Sequence, residues 1–241
     1  MIPKVIHYCW FGRNPKSATV EKCIDSWKKY CPDYEVVEWN EDNFDISCIP
    51  FVREAYDSKK WAFVTDYVRL KIIYEKGGIY LDTDVELIKS LDSLLQLSAY
   101  AGCQDDGLIN TGLGFGAEKG NKMIYEMMVD YHCRHFDASI ECCNRIACPI
   151  INSRVLERFG FVPDGNKQEI YGMTLFPVDY FSPKSSQTYI TRITDNTYSI
   201  HHFDATWKSK NQHVKQNIIK LIARIMGEKN FIKLKKKLKK Y

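Results

Sequence analysis

The sequence predicts an α/β fold with a mostly parallel central sheet, and three observations support that prediction. Short apolar or alternating segments typical of strands follow one another along the chain, with amphipathic helical patterns between them. The strand–helix–strand order of residues 5–39 is that of a βαβ unit, whose two strands lie parallel. The chain has 241 residues, 45% of them apolar, which is enough for one domain with a substantial core.

Individual elements follow from the spacing of apolar residues. Strands are predicted where short β-branched and aromatic runs occur, and helices where apolar residues recur every three or four positions. Pro32 closes the first helix and Gly77 the third, since proline lacks the amide hydrogen and glycine adopts a positive φ at low cost. The predicted strands are 5–10, 34–39, 79–81, 98–103 and 173–178, and the helices are 19–30, 50–57, 61–76, 122–131 and 148–159.

The stretch from Trp61 to Glu86 is predicted to deliver two carboxylates to the end of a buried strand. Asp82 and Asp84 follow the apolar strand 79–81 and lie on one side of an extended segment. Two like charges held together there need a compensating cation, and paired carboxylates suit Mg²⁺ or Mn²⁺. No glycine-rich phosphate loop follows either strand of the βαβ unit, so a bound nucleotide would depend on such a metal for its phosphates.

The helix before this strand carries Asp66 and Arg69 at positions i and i+3, which share one helical face. An arginine in that position would neutralise a phosphate or hold a carboxylate. The alternative is an ordinary surface ion pair, worth about 0–1 kcal/mol. The order of helix, double glycine, apolar strand and D-x-D favours the functional interpretation.

The segment DYVRLKIIYEKGGIYLDTDVE, residues 66–86, resembles the signature of the DXD-containing glycosyltransferases. That family includes yeast-type mannosyltransferases, bacterial capsule and lipopolysaccharide sugar transferases, and the glucosyltransferase domain of large clostridial toxins. The resemblance implies a glycosyltransferase-A (Rossmann-like) catalytic domain over residues 1–207. It further implies that a hexose moves, with retention of configuration, from a nucleotide-sugar donor, in particular a UDP-sugar, to a glycan or lipid-linked saccharide in surface polysaccharide synthesis.

The same resemblance implies roles for residues of the central segment. Asp82 and Asp84 would hold Mn²⁺ or Mg²⁺ as the cofactor, and Asp82 would also contact the donor. Asp66 and Arg69 would hold the hydroxyls of the donor sugar. Tyr80 would flank the donor.

Three further segments match the family. In IHYCW, Trp10 would stack on the uracil of the donor, the alternative being a core residue. In INT, Asn110 would contact the donor sugar or the acceptor, unless it only completes a turn. In HHFDATW, Trp207 would donate its indole N–H to the leaving diphosphate. One histidine, or a neighbouring oxygen, would complete the metal shell or donate to the β-phosphate. We predict His202 for that ligand over His201, although the residues alone do not decide between them.

Charge divides the chain near residue 208. Residues 208–241 carry 12 Lys and Arg against one acidic residue, a net charge of +11, whereas residues 1–207 carry 22 basic against 29 acidic residues. Apolar residues recur at helical spacing within this basic tail. The pattern predicts amphipathic helices that lie on an anionic membrane surface. A helix docked on the body, or a disordered end, stays open as an alternative.

Composition also sets limits on location and on rival functions. The first residues lack the pattern of a signal peptide and no segment reaches about 18 uncharged apolar residues, so we expect a cytoplasmic protein, peripheral at the inner face of the membrane. Nucleic acid is not an expected partner, because no aromatic stacking platform accompanies the lysines. Two rival functions are a metal-dependent phosphohydrolase, which would want more carboxylates for a second ion, and a membrane- or nucleic-acid-binding module built on the tail.

Overall fold

The computed structural model describes residues 1–137, 147–203 and 210–238 of the chain. Nine strands and eight α-helices lie within these ranges. Among the same residues, no helix is both long and apolar enough to cross a lipid bilayer. The strands are β1 (Val5–Cys9), β2 (Glu35–Trp39), β3 (Gly78–Tyr80), β4 (Val85–Leu87), β5 (Ala99–Gly102), β6 (Phe115–Ala117), β7 (Gln168–Ile170), β8 (Met173–Phe176) and β9 (Ser199–His201). The helices are α1 (Ala18–Tyr30), α2 (Pro50–Asp57), α3 (Trp61–Lys76), α4 (Lys122–Val129), α5 (Cys148–Glu157), α6 (Val178–Phe181), α7 (Lys210–Met226) and α8 (Glu228–Leu238).

Seven of the strands form one central sheet in the order β2-β1-β3-β6-β5-β8-β7. Strand β1 pairs in parallel with both β2 and β3, and β5 pairs in parallel with β8. Strand β6 is antiparallel to β3 and β5, and β7 is antiparallel to β8. Five of the seven strands therefore run in the same direction, which confirms the predicted α/β fold with a mostly parallel sheet.

Helices cover both faces of this sheet, and alternate residues of one strand enter different parts of the core. Ile79 and Leu81 pack in the cluster that contains Trp27 of α1. Tyr80 lies between them in sequence but packs in the other cluster, with Val68 of α3. Because side chains alternate along a strand, the side chain two positions after Tyr80 lies on the α3 side of the sheet, where Asp66 and Arg69 are.

Four three-residue strands were not predicted from the sequence: β4, β6, β7 and β9. Three residues are too few to show a two-residue period, so these strands depend on their partners. In β6, a Cβ atom on Gly116 would lie 2.8 Å from Cε1 of Tyr100 and 3.1 Å from the carbonyl oxygen of Gly78. The absence of a side chain at Gly116 thus lets β6 pass between its two neighbours.

Helix α1 holds the short strand β4 in place. One edge of β4 pairs with β9. On the other side, Trp27 donates its indole N–H to the carbonyl oxygen of Val85 at 2.7 Å, and the amide of Leu87 donates to Oγ of Ser26 at 2.9 Å. Two side chains of α1 therefore replace the missing neighbouring strand, which fixes the chain directly after Asp84.

His7 is a neutral core residue of β1. Its Nδ1 accepts a hydrogen bond from the indole of Trp39 at 3.1 Å, which leaves Nε2 to donate to the carbonyl oxygen of Gly77 at 3.0 Å. Burial lowers the pKa of His7 from its usual 6.5 to about 4, against the opposing effect of the Gly77 carbonyl. A second proton would occupy Nδ1 and break the bond from Trp39.

We expect this histidine to make the fold sensitive to mild acid. The folded pKa lies below the unfolded one, so the stabilising effect is complete above pH 6.5 and is lost as the pH falls through about 4. The loss would reach about 3 kcal/mol of unfolding free energy. Urea unfolding of the wild type and of His7→Gln between pH 7.5 and 4.5 checks this, since the variant should show a flatter pH dependence. His132→Gln, at an exposed histidine, is the control; parallel curves for His7→Gln and the wild type would contradict the prediction.

Candidate active site

Two aspartates and one histidine come together after β3. Ligand atoms of Asp82, Asp84 and His201 all lie within 4.8 Å of one another. Nε2 of His201 lies 3.0 Å from Oδ1 of Asp84, and the side chains of His201, Asp84 and Asp82 are 11%, 16% and 26% exposed. The other ring nitrogen of His201, Nδ1, is buried and has no hydrogen-bond partner among the described residues.

Arg69 connects this cluster to helix α3. Its Nε donates to the carbonyl oxygen of Thr65 at 2.9 Å, and its Nη2 donates to Oγ1 of Thr65 at 3.1 Å and to Oδ1 of Asp66 at 2.8 Å. Nη1 lies 3.5 Å from Oδ2 of Asp82. The side chains of Arg69 and Asp66 are only 3% and 10% exposed, so this is not a surface ion pair. Both residues lie behind Asp82, and their contact with a donor sugar stays a prediction.

Tyr80 was predicted to flank the donor, but the structure places it inside the core. The residue is 1% exposed, which leaves almost no surface for a ligand. The guanidinium carbon of Arg69 lies 5.2 Å from the centre of its ring, a cation–π contact. Tyr80 therefore packs beneath Arg69, and its contact with the donor stays a prediction.

The electrostatics of the cluster show an excess of negative charge. Burial raises the pKa of Asp82, and the charge of Asp84 adds to this, against the lowering effect of Arg69. Burial likewise raises the pKa of Asp66 to about 6. Burial would lower the pKa of His201, but the carboxylates of Asp84 and Asp82 outweigh it and the pKa is raised.

These properties fit a divalent cation. Two carboxylates and an imidazole are ligands that divalent metals accept, and their close approach is unfavourable without a positive charge. A cation would compensate the negative charges of Asp82 and Asp84 more fully than protonation of His201 would. The residues present therefore meet the requirements of a small metal site.

The predicted ligand His202 lies on the opposite side of its strand. Its Nε2 is 2.8 Å from Oε2 of Glu86, which also pairs with Lys22 at 3.0 Å. In the antiparallel pair β4–β9, His201 lies opposite Val85, so the next residue, His202, turns away from the cluster. His201 takes the place that the sequence prediction assigned to His202. Strand pairing alone would place His202 opposite Asp84, whose carbonyl oxygen accepts the amide of His202 at 3.0 Å. Asp84 lies in a turn before β4, and its carboxylate contacts His201 instead.

Asn110, Arg69 and Asp82 all lie close to Gly112. The sequence alone did not indicate a role for this glycine. Oδ1 of Asn110 accepts the amide of Gly112 at 2.8 Å, and its Nδ2 donates to Oε1 of Gln104 at 3.0 Å. A Cβ atom on Gly112 would lie 2.5 Å from Oδ2 of Asp82, 2.9 Å from Nη1 of Arg69 and 3.0 Å from Oδ1 of Asn110. Asn110 thus completes a local turn and also borders the cluster, and only glycine fits at position 112.

Trp10 lies at the same edge of the sheet as the aspartates. It directly follows β1, which is parallel to β3, with His7 opposite Tyr80. Its indole donates to the carbonyl oxygen of Asn14 at 2.7 Å, and its side chain is partly exposed. An open pocket of about 300 Å³ lies against it. The pocket is lined by Trp10, Arg13, Asn14, Pro15, Lys16, Glu38, Asn40 and Glu41.

Trp207 lies outside the described residues. A larger opening, of about 470 Å³, is lined by residues of α3 and of the loop after β2, including Lys71 and Asn43, and contains none of the predicted site residues.

A family model described as "Glycosyltransferase sugar-binding region containing DXD motif" matches residues 17–100. The matched segment begins at the N-cap of α1 and includes Arg69, Asp82 and Asp84. Over residues 17–100 the chain is therefore similar to the DXD-containing glycosyltransferase family. This match confirms the predicted resemblance, and the matched region holds the D-x-D strand together with the helix that carries Asp66.

Two curated relatives of this chain come from fission yeast. The chain is 33% identical to inositol phosphoceramide mannosyltransferase 3 of Schizosaccharomyces pombe over 135 residues, which cover 53% of this chain and 36% of the relative. It is 30% identical to inositol phosphoceramide mannosyltransferase 2 of the same organism over 102 residues, 39% of this chain and 28% of the relative. The matches span about a third of the relatives' length.

The fold of the DXD glycosyltransferase region also has a counterpart among solved structures. The PaToxG glycosyltransferase superposes with a TM-score of 0.52 at 17% sequence identity, over 65% of this chain and 69% of that structure. This likeness concerns the fold, and it confirms the predicted glycosyltransferase-A architecture.

We expect Gly112→Ala to weaken cation binding. The added methyl group would displace the carboxylate of Asp82 or the guanidinium of Arg69, and loss of a residue that positions a ligand typically costs roughly 10- to 100-fold in metal affinity. Isothermal titration with Mn²⁺ measures the effect. Gly120→Ala, whose added methyl meets nothing within 4 Å, is the control and should bind Mn²⁺ as the wild type does. Equal affinity in Gly112→Ala would show that the glycine is not needed for the site.

Proposed function

We propose that this chain is a metal-dependent, retaining glycosyltransferase that moves a hexose from a nucleotide diphosphate sugar, with UDP as the nucleotide, to a saccharide acceptor. The observation that carries the proposal is the Asp82–Asp84–His201 cluster at the end of β3, in a DXD region of the glycosyltransferase family. The pocket beside Trp10 opens at the end of the neighbouring parallel strand. Ligands of open α/β sheets bind at the carboxyl ends of such strands.

The chemical task of this site is departure of a nucleoside diphosphate. A divalent ion, when bound, neutralises the charge that grows on the leaving phosphate. Asp82, Asp84 and His201 would hold that ion. Carboxylates suit both Mg²⁺ and Mn²⁺, whereas an imidazole ligand is less suited to Mg²⁺, so Mn²⁺ is our preferred cofactor. Arg69 holds Asp82 in position through its own bonds to helix α3.

The proposed retention of configuration follows the family resemblance. Asp66 is a buried carboxylate close to the proposed ligands, and it is bound to Arg69 at 2.8 Å. A carboxylate engaged in this way is a poor nucleophile. We therefore propose front-face attack by the acceptor hydroxyl, with the leaving phosphate accepting its proton.

The nature of the sugar and of the acceptor is proposed from the relatives. Their names describe mannose transfer to inositol phosphoceramide, so mannose is the first hexose to test in this chain. The proposed acceptor is a glycan or a lipid-linked saccharide. A role in capsule, lipopolysaccharide or other surface polysaccharide synthesis is supported by the resemblance of the D-x-D segment alone.

Metal-dependent nucleotide binding is the first test. UDP at 100 times its Kd should raise the melting temperature by about 5–10 °C when Mn²⁺ is present, and have little effect without it. Asp84→Asn should abolish the shift, because it removes one of the two ligand charges. Asp25→Asn, at an exposed residue of α1, should retain it. A metal-independent shift of the same size in Asp84→Asn would contradict the proposal, and GDP in place of UDP tests the nucleotide.

Stacking on Trp10 is a separate test of the donor pocket. Loss of an aromatic stacking partner costs roughly 1–3 kcal/mol per base, so Trp10→Ala should weaken UDP binding in Mn²⁺ by about 10- to 100-fold. Trp10→Phe should recover part of the loss. Inorganic pyrophosphate, which has no base, should bind the wild type and both variants equally in calorimetry. A matching loss for pyrophosphate would place the effect on the phosphates and overturn the stacking role.

Donor turnover is the decisive measurement of activity. Mass spectrometry of reactions with a panel of UDP- and GDP-linked hexoses, including mannose, glucose and galactose, identifies which donor releases its nucleotide in Mn²⁺. Transfer requires that the chosen donor also gives a glycosylated acceptor. Release of inorganic phosphate from simple phosphate esters, with no nucleotide-sugar turnover, would favour the phosphohydrolase alternative.

A further inference from the structure

The C-terminal helix pair, α7 and α8, presents an apolar stripe to solvent. Ile218, Leu221, Ile222 and Ile225 recur at the i, i+3, i+4, i+7 spacing of one helical face. They are 52%, 59%, 40% and 76% exposed. Ala223 lies on another side of the same helix and is fully buried. Helix α7 therefore packs through its small residue and leaves its large aliphatic face uncovered.

The charge around this stripe is basic. Lys220 and Arg224 flank it on α7, and Lys233 and Lys235 lie on α8 beside the 42% exposed Leu234. Residues 208–241 contain a single acidic side chain, Glu228. Its Oε1 pairs with Nη2 of Arg192 in the body at 2.9 Å, where its side chain is 19% exposed. The one negative charge of the tail is thus directed to the body, and the positive charges are left to the surface.

We propose that the exposed stripe of α7 docks on an anionic lipid surface, into which its isoleucine and leucine side chains insert while the surrounding lysines contact lipid headgroups. An amphipathic helix with a basic polar face binds in this way. Its affinity increases with the apolar area that it buries and with its electrostatic attraction to anionic lipids. The cytoplasmic leaflet, which is rich in anionic lipids, is such a surface. The ion pair between Arg192 and Glu228 holds the helix pair against the body, so that the body lies beside the membrane.

Two other occupants fit the surface less well. A second copy of the chain would bring two segments of net charge +11 together, which is unfavourable at moderate ionic strength. A nucleic acid would use the lysines, but it offers no apolar surface for four exposed aliphatic side chains. Of these three occupants, a lipid surface is the one that complements both the basic charge and the apolar stripe.

Co-sedimentation of the full-length protein with vesicles tests the proposal without using enzyme activity. Neutral phosphatidylcholine vesicles should bind weakly, and vesicles with about a third of phosphatidylglycerol should bind strongly, with a steep loss as salt is raised. Leu221→Glu should reduce partition into anionic vesicles by roughly tenfold. Val162→Glu introduces the same negative charge at a 56% exposed valine of the body. This variant should bind anionic vesicles as the wild type does. Ile225→Glu provides a second variant in the stripe.

Three outcomes would overturn the proposal. The first is equal loss in Val162→Glu and Leu221→Glu, which would make the effect one of net charge alone. The second is a dimer in sedimentation velocity that Ile225→Glu dissociates, which would assign the stripe to a second copy. The third is RNA binding that competes fully with vesicles and is unchanged in Leu221→Glu. Because Mn²⁺-dependent UDP binding is measured separately on the same variants, failure of membrane docking would leave the proposed glycosyl transfer intact.

Discussion

One buried guanidinium, that of Arg69, connects the fold to the candidate site. A charge in the interior is unfavourable by several kcal/mol unless it is paired and hydrogen-bonded. Thr65 and Asp66 satisfy it from its own helix, Asp82 lies opposite at 3.5 Å, and the ring of Tyr80 lies beneath it. A shift of β3 against α3 would separate this charge from Asp82. The arginine behind Asp82 therefore contributes to holding the D-x-D segment in position.

The negative charges of the cluster outnumber its positive charges, which favours a bound divalent cation. Asp66, Asp82 and Asp84 carry three negative charges, and Arg69 supplies one positive charge, which leaves −2 when His201 is neutral. This net charge of −2 is equal and opposite to the charge of one Mg²⁺ or Mn²⁺ ion. Without a cation, the carboxylates of Asp84 and Asp82 outweigh the effect of burial and raise the pKa of His201, which favours its protonated form. Metal and proton would compete for this site, as is usual for histidine ligands.

Local patterns in the sequence were sufficient for the helix and strand that carry Asp66, Arg69, Asp82 and Asp84. Helical spacing, a glycine stop and an apolar strand are all properties of neighbouring residues. The choice of His201 was not accessible in this way, because it depends on pairing of 199–201 with 85–87, more than a hundred residues apart. Gly112 is similar, since its need for a hydrogen side chain arises from Asp82 and Arg69 and not from its own neighbours.

The exposed fraction of each side chain separates the residues that position the carboxylates from the residues that a ligand can contact. Arg69 and Tyr80 are almost fully buried, whereas the side chains of Asp82 and Asp84 are 26% and 16% exposed. Family resemblance alone assigns ligand contacts to all four. Of these four residues, the partly exposed carboxylates of Asp82 and Asp84 are therefore the ones that a ligand can reach in this packing. Gly112 lies next to the buried pair behind them, because a Cβ atom there would be 2.9 Å from Nη1 of Arg69 and 2.5 Å from Oδ2 of Asp82. The small size of this glycine thus leaves room for the contact between Arg69 and Asp82 on which the position of the D-x-D carboxylates depends.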